Sequence, residues 1–108
     1  MKEIYEINFQ KIKIEDGGTM FYADSSLIEN SELAHHLTVS GKESTNLQIL
    51  DLELALSGQP IQEDWGEING SILYIYQMEK MVQVGYSTNL IPIQDFKKLL
   101  VEWQAFIS

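Results

Sequence analysis

The sequence contains no cysteine and no arginine, only two prolines and no long hydrophobic run. Without cysteine, the chain can form no disulfide, iron–sulfur cluster, thiolate zinc site or cysteine nucleophile. Because every cation is a lysine, the bidentate guanidinium forks that phosphate clamps and base readers favour are also missing. These absences exclude several classes of metalloprotein and redox enzyme, and they disfavour nucleic acid as a partner.

The charge balance is strongly acidic. Sixteen aspartates and glutamates stand against seven lysines, which gives a formal net charge of −9 at pH 7. Proteins that bind nucleic acids or anionic membranes use clustered cations, so neither kind of partner is expected. The same charge would steer the chain towards a basic protein. A protein partner is therefore the expected ligand.

The length of 108 residues is enough for one modest core and too short for two, so we expect a single domain over residues 1–108. The first residues mix charged and apolar side chains and lack the continuous apolar segment of a signal peptide. No apolar run approaches the ~20 residues of a membrane span. Cytoplasmic residence is the resulting expectation.

The clearest folding signal lies in the last third of the chain. Residues 71–87 alternate as a β-hairpin does, and residues 92–107 repeat apolar side chains with a helical period. Pro92 suits the first turn of that helix. The alternating residues are Ile72, Tyr74, Tyr76, Val82, Val84 and Tyr86, and the helical stripe is Ile93, Phe96, Leu99, Leu100, Trp103, Phe106 and Ile107.

A second hairpin is expected at the N-terminus, from a strand over Glu3 to Ile14, a turn at Asp16-Gly17-Gly18 and a strand over Thr19 to Ala23. Along the first strand the apolar residues change from odd-numbered to even-numbered positions. This change of side predicts a bulge near Gln10 and Lys11. We therefore predict an α+β fold. It is a small two-layer domain, an antiparallel sheet of hairpins with the C-terminal amphipathic helix packed on it.

The sequence pattern in the middle of the chain does not distinguish clearly between helix and strand. Ser26 to Glu29 resembles a helix capping box, but Asn30-Ser31 would interrupt a helix soon afterwards. Leu47 to Leu56 alternates like a strand, although its flanks favour a helix. Those flanks are a capping box at Thr45 and Gln48, a C-terminal Gly58, and Pro60 beyond it. We favour the helix, with Gln59 to Gly70 as a polar, acidic connection.

Three patterns are candidates for catalytic sites. Glu32, His35 and His36 could hold a metal ion on a helix, but the two histidines are the only ones in the chain and the motif is incomplete. The carboxylates of Glu63, Asp64 and Glu67 would need a buried pocket to act as acid and base. No serine lies in a nucleophile elbow, and no phosphate-loop or dinucleotide fingerprint occurs, so neither a cofactor nor an enzymatic activity is expected.

Two stretches, Asn46 to Gly58 and Ile91 to Trp103, together with the small size and the acidity, resemble the immunity proteins that protect bacteria from their own polymorphic or contact-dependent toxins. The resemblance implies a cytoplasmic, non-catalytic protein that binds one toxin domain and blocks its active site. It assigns no particular residue.

Candidate contacts follow instead from charge and aromatic content. The acidic segment around Trp65 is suited to an interface, because the indole can anchor it and the carboxylates can take the positions of phosphates in a basic groove. Two alternatives remain: self-association, for example as a homodimer through a sheet edge or helix face, and a small metal-dependent enzyme using Glu32, His35 and His36. The candidate partner-binding residues are Glu63, Asp64, Trp65 and Glu67, followed by Asp51 and Glu53.

Overall fold

The computed structural model describes all residues from Met1 to Ser108 and shows an α+β fold with two antiparallel sheets and three α-helices. One sheet is the N-terminal hairpin, and the other has four strands in the order β3-β4-β5-β6. The elements are β1 (Ile7–Lys13), β2 (Thr19–Ser25), α1 (Ser31–Val39), α2 (Lys42–Leu56), β3 (Asp64–Ile68), β4 (Ser71–Tyr76), β5 (Met81–Val84), β6 (Leu90–Pro92) and α3 (Ile93–Ile107). No helix is both long and apolar enough to cross a membrane.

The C-terminal helix supplies the largest buried side chains, as its apolar period predicts. Trp103 and Phe96 are both fully buried, and Trp103 donates from Nε1 to the carbonyl of Ser40 at 3.2 Å. Pro92 is not in the first helical turn, because its ψ of 140° is extended and it ends β6. The buried residues of α3 are Ile93, Phe96, Leu99, Leu100 and Trp103.

The predicted hairpin in the last third of the chain is formed by β4 and β5. Its core-facing residues on β4 are Leu73 and Ile75, which are fully buried. The alternating set that the sequence pattern emphasises, Ile72, Tyr74 and Tyr76, lies on the opposite face and is half-buried. This set forms an open aromatic face of the sheet, with the rings of Tyr74 and Tyr76 at a centroid separation of 4.5 Å.

The N-terminal hairpin is present, but the predicted bulge near Gln10 and Lys11 is wrong. The strands pair in continuous register from Ile7 opposite Ser25 to Lys13 opposite Thr19. Phe9 packs edge-on against Trp103 at 5.1 Å between ring centroids. Beyond the pair of Lys11 and Phe21 the hairpin leaves the core, so Ile12 and Ile14 remain exposed and no bulge is needed to turn them inward.

Residues 47–56 are helical, as favoured, but α2 begins earlier, at Lys42. Thr45 and Gln48 therefore lie inside the helix, fully buried, and do not form a capping box. The C-terminal end matches the prediction. Gly58 has φ +82°, which an L side chain rarely adopts, and its N–H bonds to the Ala55 carbonyl at 3.2 Å. The N–H of Gln59 bonds to the Leu54 carbonyl at 2.9 Å, which completes a Schellman motif.

The capping box expected at Ser26 to Glu29 is also absent. A short 3₁₀ turn occupies Ile28–Asn30, and α1 starts directly after it at Ser31. Asn30 does not end the helical segment but immediately precedes α1, without a side-chain capping bond. Its side-chain amide instead donates to the carbonyl of Tyr5 at 2.8 Å, which ties the start of α1 to the N-terminal segment.

The polar connection predicted over Gln59 to Gly70 contains a strand, β3, which the sequence analysis missed. Asn69 and Gly70 form a two-residue turn between Ile68 and Ser71, with φ of +47° and +91°. An Asn-Gly pair adopts these left-handed conformations readily and suits the twist of a hairpin. The dipeptide was the available signal for this strand.

We predict that Trp103→Ala lowers the free energy of unfolding by about 3–5 kcal/mol, because it empties a fully buried site and removes the hydrogen bond to Ser40. Urea denaturation would measure the change. Val101→Ala is the control on the same helix: Val101 is 42% exposed, and its truncation should cost less than about 1 kcal/mol. Equal losses in the two variants would contradict the assignment of Trp103 to the core.

Candidate functional site

A buried polar cluster joins α1, α2 and β4. Nδ1 of His36 lies 2.7 Å from the hydroxyl oxygen of Ser71, and Nε2 lies 2.8 Å from Oε1 of Gln48. The amide nitrogen of Gln48 donates to the hydroxyl oxygens of Ser40 and Ser44, each at 3.0 Å. Since Oε1 of Gln48 can only accept, Nε2 of His36 carries the proton and Nδ1 accepts from Ser71.

The contact between a serine hydroxyl and an imidazole is the one that activates nucleophiles in acyl-transfer enzymes. Here His36 and Ser71 are both 0% exposed, so no substrate can reach the hydroxyl. Burial lowers the pKa of His36 from 6.5 to about 4, which keeps the ring neutral at physiological pH. We assign this cluster a structural role in joining three elements.

The residues of the metal hypothesis are not brought together. His36 uses both ring nitrogens inside the core, whereas His35 is exposed. Glu32 accepts from the backbone N–H of Tyr86 at 3.4 Å. No group of three or more histidine, aspartate or glutamate side chains is arranged to hold a metal ion.

A surface groove lies along the outer side of α2. Its apolar side chains are exposed to an unusual degree for leucines: 49% at Leu47, 56% at Leu50 and 43% at Leu54. Trp65 of β3 lines the groove as well. The volume of the groove is about 580 Å³. We call it the leucine groove, defined by Leu47, Leu50, Leu54 and Trp65, with Asp51, Glu53 and Ser57 as its polar lining.

The leucine groove exists because α2 is apolar on two sides. Leu47, Leu50 and Leu54 follow the i, i+3, i+7 spacing and so share one face of the helix. The opposite side is already occupied by the core, which leaves this leucine stripe without an internal partner. The residues on the core side are Thr45, Gln48, Ile49, Leu52 and Ala55.

A β-bulge in β3 places Trp65 beside α2. Asp64 pairs with Tyr74 and Gly66 with Leu73, so Trp65 is the additional residue in the strand. Its indole nitrogen donates to Oδ2 of Asp51 at 2.9 Å. This bond orients the ring as a wall of the leucine groove and holds Asp51 in a fixed position at its margin.

Carboxylates border the leucine groove on more than one side. At 100° per residue, Asp51 and Glu53 project from α2 on opposite flanks of the leucine stripe, and Glu43 lies in line with it at the N-terminal end. Glu53 approaches Lys97 of α3 at 3.9 Å. Both side chains are partly exposed, so solvent weakens the attraction between them.

The structure therefore unites only half of the predicted site. Asp51, Glu53 and Trp65 meet at the leucine groove, although Trp65 lies on a different element from the two carboxylates. Asp64 and Glu67 lie opposite Tyr74 and Ile72 in register, on the open aromatic face.

The remaining predicted carboxylate, that of Glu63, bonds to a backbone N–H group. Oε2 of Glu63 accepts from the N–H of Gln77 at 2.9 Å, and the Glu63 carbonyl accepts from the N–H of Ile75 at 2.8 Å. The sequence analysis also missed the three groove leucines. The sequence signal for them was the number of leucines between positions 47 and 56, which is larger than one buried face of a helix can hold.

Comparison with protein-family models, with curated proteins and with solved structures gives no match for this chain.

We predict that stability falls between pH 6.5 and pH 4 because of His36. In this range the unfolded chain binds a proton at the imidazole, whereas the native protein, in which burial lowers the pKa to about 4, does not. The free energy of unfolding should therefore decrease by about 3 kcal/mol over the full range. Urea denaturation at a series of pH values would measure the slope.

Two variants isolate this contribution from that of the carboxylates. His36→Asn should be less stable near pH 7 and should lose most of the slope between pH 6.5 and pH 4. His35→Gln removes the exposed neighbouring imidazole and should retain the slope of the parent protein. An unchanged slope in His36→Asn would contradict the account.

Proposed function

We propose that the protein is a non-catalytic binding protein, an immunity-type inhibitor that neutralises a basic toxin domain in the cytoplasm. The observation that carries the proposal is the leucine groove, in which three exposed leucines and a tryptophan are bordered by carboxylates. An exposed apolar patch with a polar rim is typical of protein interaction sites. A few residues supply most of the binding free energy in such sites, and tryptophan is among the most frequent of them.

The charge distribution supports a basic partner. A net charge of −9 accelerates the encounter with a cationic surface. At contact, the carboxylates of Asp51 and Glu53 would pair with lysines or arginines that otherwise hold a phosphate. The leucines would exclude water from these pairs and slow dissociation. Binding of this kind blocks an active site without any chemistry by the inhibitor.

The first test is capture of partners from a lysate of the source cells at low and at high salt. We expect one basic protein that is retained at low salt and released as the salt concentration rises. The toxic activity of this protein should be inhibited when the present chain is bound to it. A double variant, Leu50→Ser with Leu54→Ser, should fail to retain it. Retention of the same protein by that variant would place the interaction elsewhere.

We predict that Asp51→Asn with Glu53→Gln slows association with the captured partner several-fold and makes its rate less sensitive to salt, because long-range attraction is reduced. The amide at position 51 preserves an acceptor for Trp65. Stopped-flow or surface plasmon resonance measurements over a range of salt concentrations would give the rates.

The matched control for this charge experiment is Glu15→Gln with Asp24→Asn. It also removes two negative charges, but from exposed positions on the N-terminal hairpin. Its association rate should stay close to that of the parent protein. An equal loss in both double variants would show that total charge matters and that the leucine groove does not.

Self-association is the second candidate, and the open aromatic face favours it. Ile72, Tyr74 and Tyr76 are half-buried there, and Leu90 of the edge strand β6 is exposed. Two such faces could bury one another across a two-fold axis. Analytical ultracentrifugation would show a dimer that is dissociated by Tyr74→Ser, whereas a monomer at micromolar concentration would exclude this candidate.

A further inference from the structure

We propose that the occupant of the leucine groove is an amphipathic α-helix of the partner, with apolar residues at i, i+3 or i+4, and i+7 and with lysines or arginines on its two flanks. This inference rests on the proposed function for the existence of a natural partner. The shape and charge of the groove determine the class of segment that fits it.

The first argument is the geometry of the leucine stripe. From Leu47 to Leu54 it runs along two turns of α2, or about 10 Å at the helical rise of 1.5 Å per residue. Side chains spaced in this way form ridges that interlock with the ridges of a second helix at an axis separation of about 8–10 Å. Trp65 closes one side of this channel, so that a partner helix would lie on the outer face of α2 with the indole along one of its flanks.

The second argument concerns backbone hydrogen bonds. An extended segment must pair its N–H and C=O groups, but the floor of the groove is a helix whose backbone groups bond to each other. The nearest strand, β3, lies at the edge of its sheet, and the bulge at Trp65 and Gly66 interrupts the regular ladder that an added strand needs. A helix satisfies its own backbone and needs only side-chain contacts.

The third argument is charge, which selects a cationic helix over a second copy of this chain. Two leucine grooves packed against each other would bring Asp51, Glu53 and Glu43 of one copy close to the same carboxylates of the other. Like charges at an interface are unfavourable. Because Asp51 and Glu53 flank the leucine stripe on opposite sides, cations are expected on both flanks of the bound helix.

Synthetic peptides can test this without knowledge of the partner. The probe is a peptide of about 18 residues, or five helical turns, with leucines at helical spacing and lysines on both flanks. One control peptide has the same composition in scrambled order. Another keeps the leucine pattern but carries glutamates in place of the lysines.

The two tryptophans make nuclear magnetic resonance a direct readout. The indole N–H of Trp65 lies at the leucine groove, whereas that of Trp103 is buried and bonded to Ser40. We expect the lysine peptide to shift the Trp65 indole resonance and the backbone amides of residues 47–54, with little effect on the Trp103 indole. Both control peptides should bind at least about tenfold more weakly.

A groove variant completes the test. Leu50→Ser with Leu54→Ser should weaken binding of the lysine peptide at least about tenfold, while Ile12→Ser with Met20→Ser, an equal change at exposed positions on the N-terminal hairpin, should leave it unchanged. No binding, equal binding of the scrambled peptide, or shifts confined to residues outside the groove would each overturn the inference.

The outcomes for the helix and for the inhibitor are separable. Peptide binding at the groove without recovery of any basic partner from the lysate would support the inference and contradict the inhibitor function. A basic toxin domain whose binding persists in the Leu50→Ser, Leu54→Ser variant would do the reverse. The two experiments therefore report on different claims.

Discussion

The rest of the structure depends on the hydrogen bonds of a single buried imidazole. His36 of α1 bonds to Ser71 at the start of β4 and to Gln48 in the middle of α2, so three elements share one ring. Because a buried polar group without partners is costly, the rotation of α2 is constrained to keep Gln48 inward. Ser40, which accepts from both Gln48 and Trp103, extends the same constraint to α3.

The leucine groove is a consequence of that constraint. Once Gln48 and Leu52 face the core, the helical period directs Leu47, Leu50 and Leu54 towards solvent. A helix rotated to bury these leucines would expose Gln48 and leave His36 without its acceptor. The polar cluster thus keeps an apolar face at the surface, where the proposed partner would bind. The carboxylates around this face are the reason for proposing a basic partner.

The sequence was most informative where a regular period coincided with burial, as in α3 and in β5, where Val82 and Val84 are buried. It was misleading where a regular spacing of apolar residues did not reflect a buried face. Ile12 and Ile14 suggested a bulge, yet they lie on a hairpin that extends beyond the core. Residues 50–56 alternate like one side of a strand because α2 is apolar on two faces: Leu50 and Leu54 face solvent, whereas Leu52 faces the core. The pairing of Trp65 with Asp51 could not be predicted, since it depends on tertiary packing between β3 and α2. Gly66, which has φ +69°, was a local signal only for the bulge itself.

The most direct test of the central claim is a footprint of the complex. Hydroxyl-radical labelling, measured by mass spectrometry, would compare the free protein with the protein bound to its captured partner. The account predicts strong protection of Leu47, Leu50, Leu54 and Trp65 and none at Tyr74 and Tyr76. Protection of the open aromatic face, with the leucine groove still labelled as in the free protein, would contradict the claim that this groove is the binding surface.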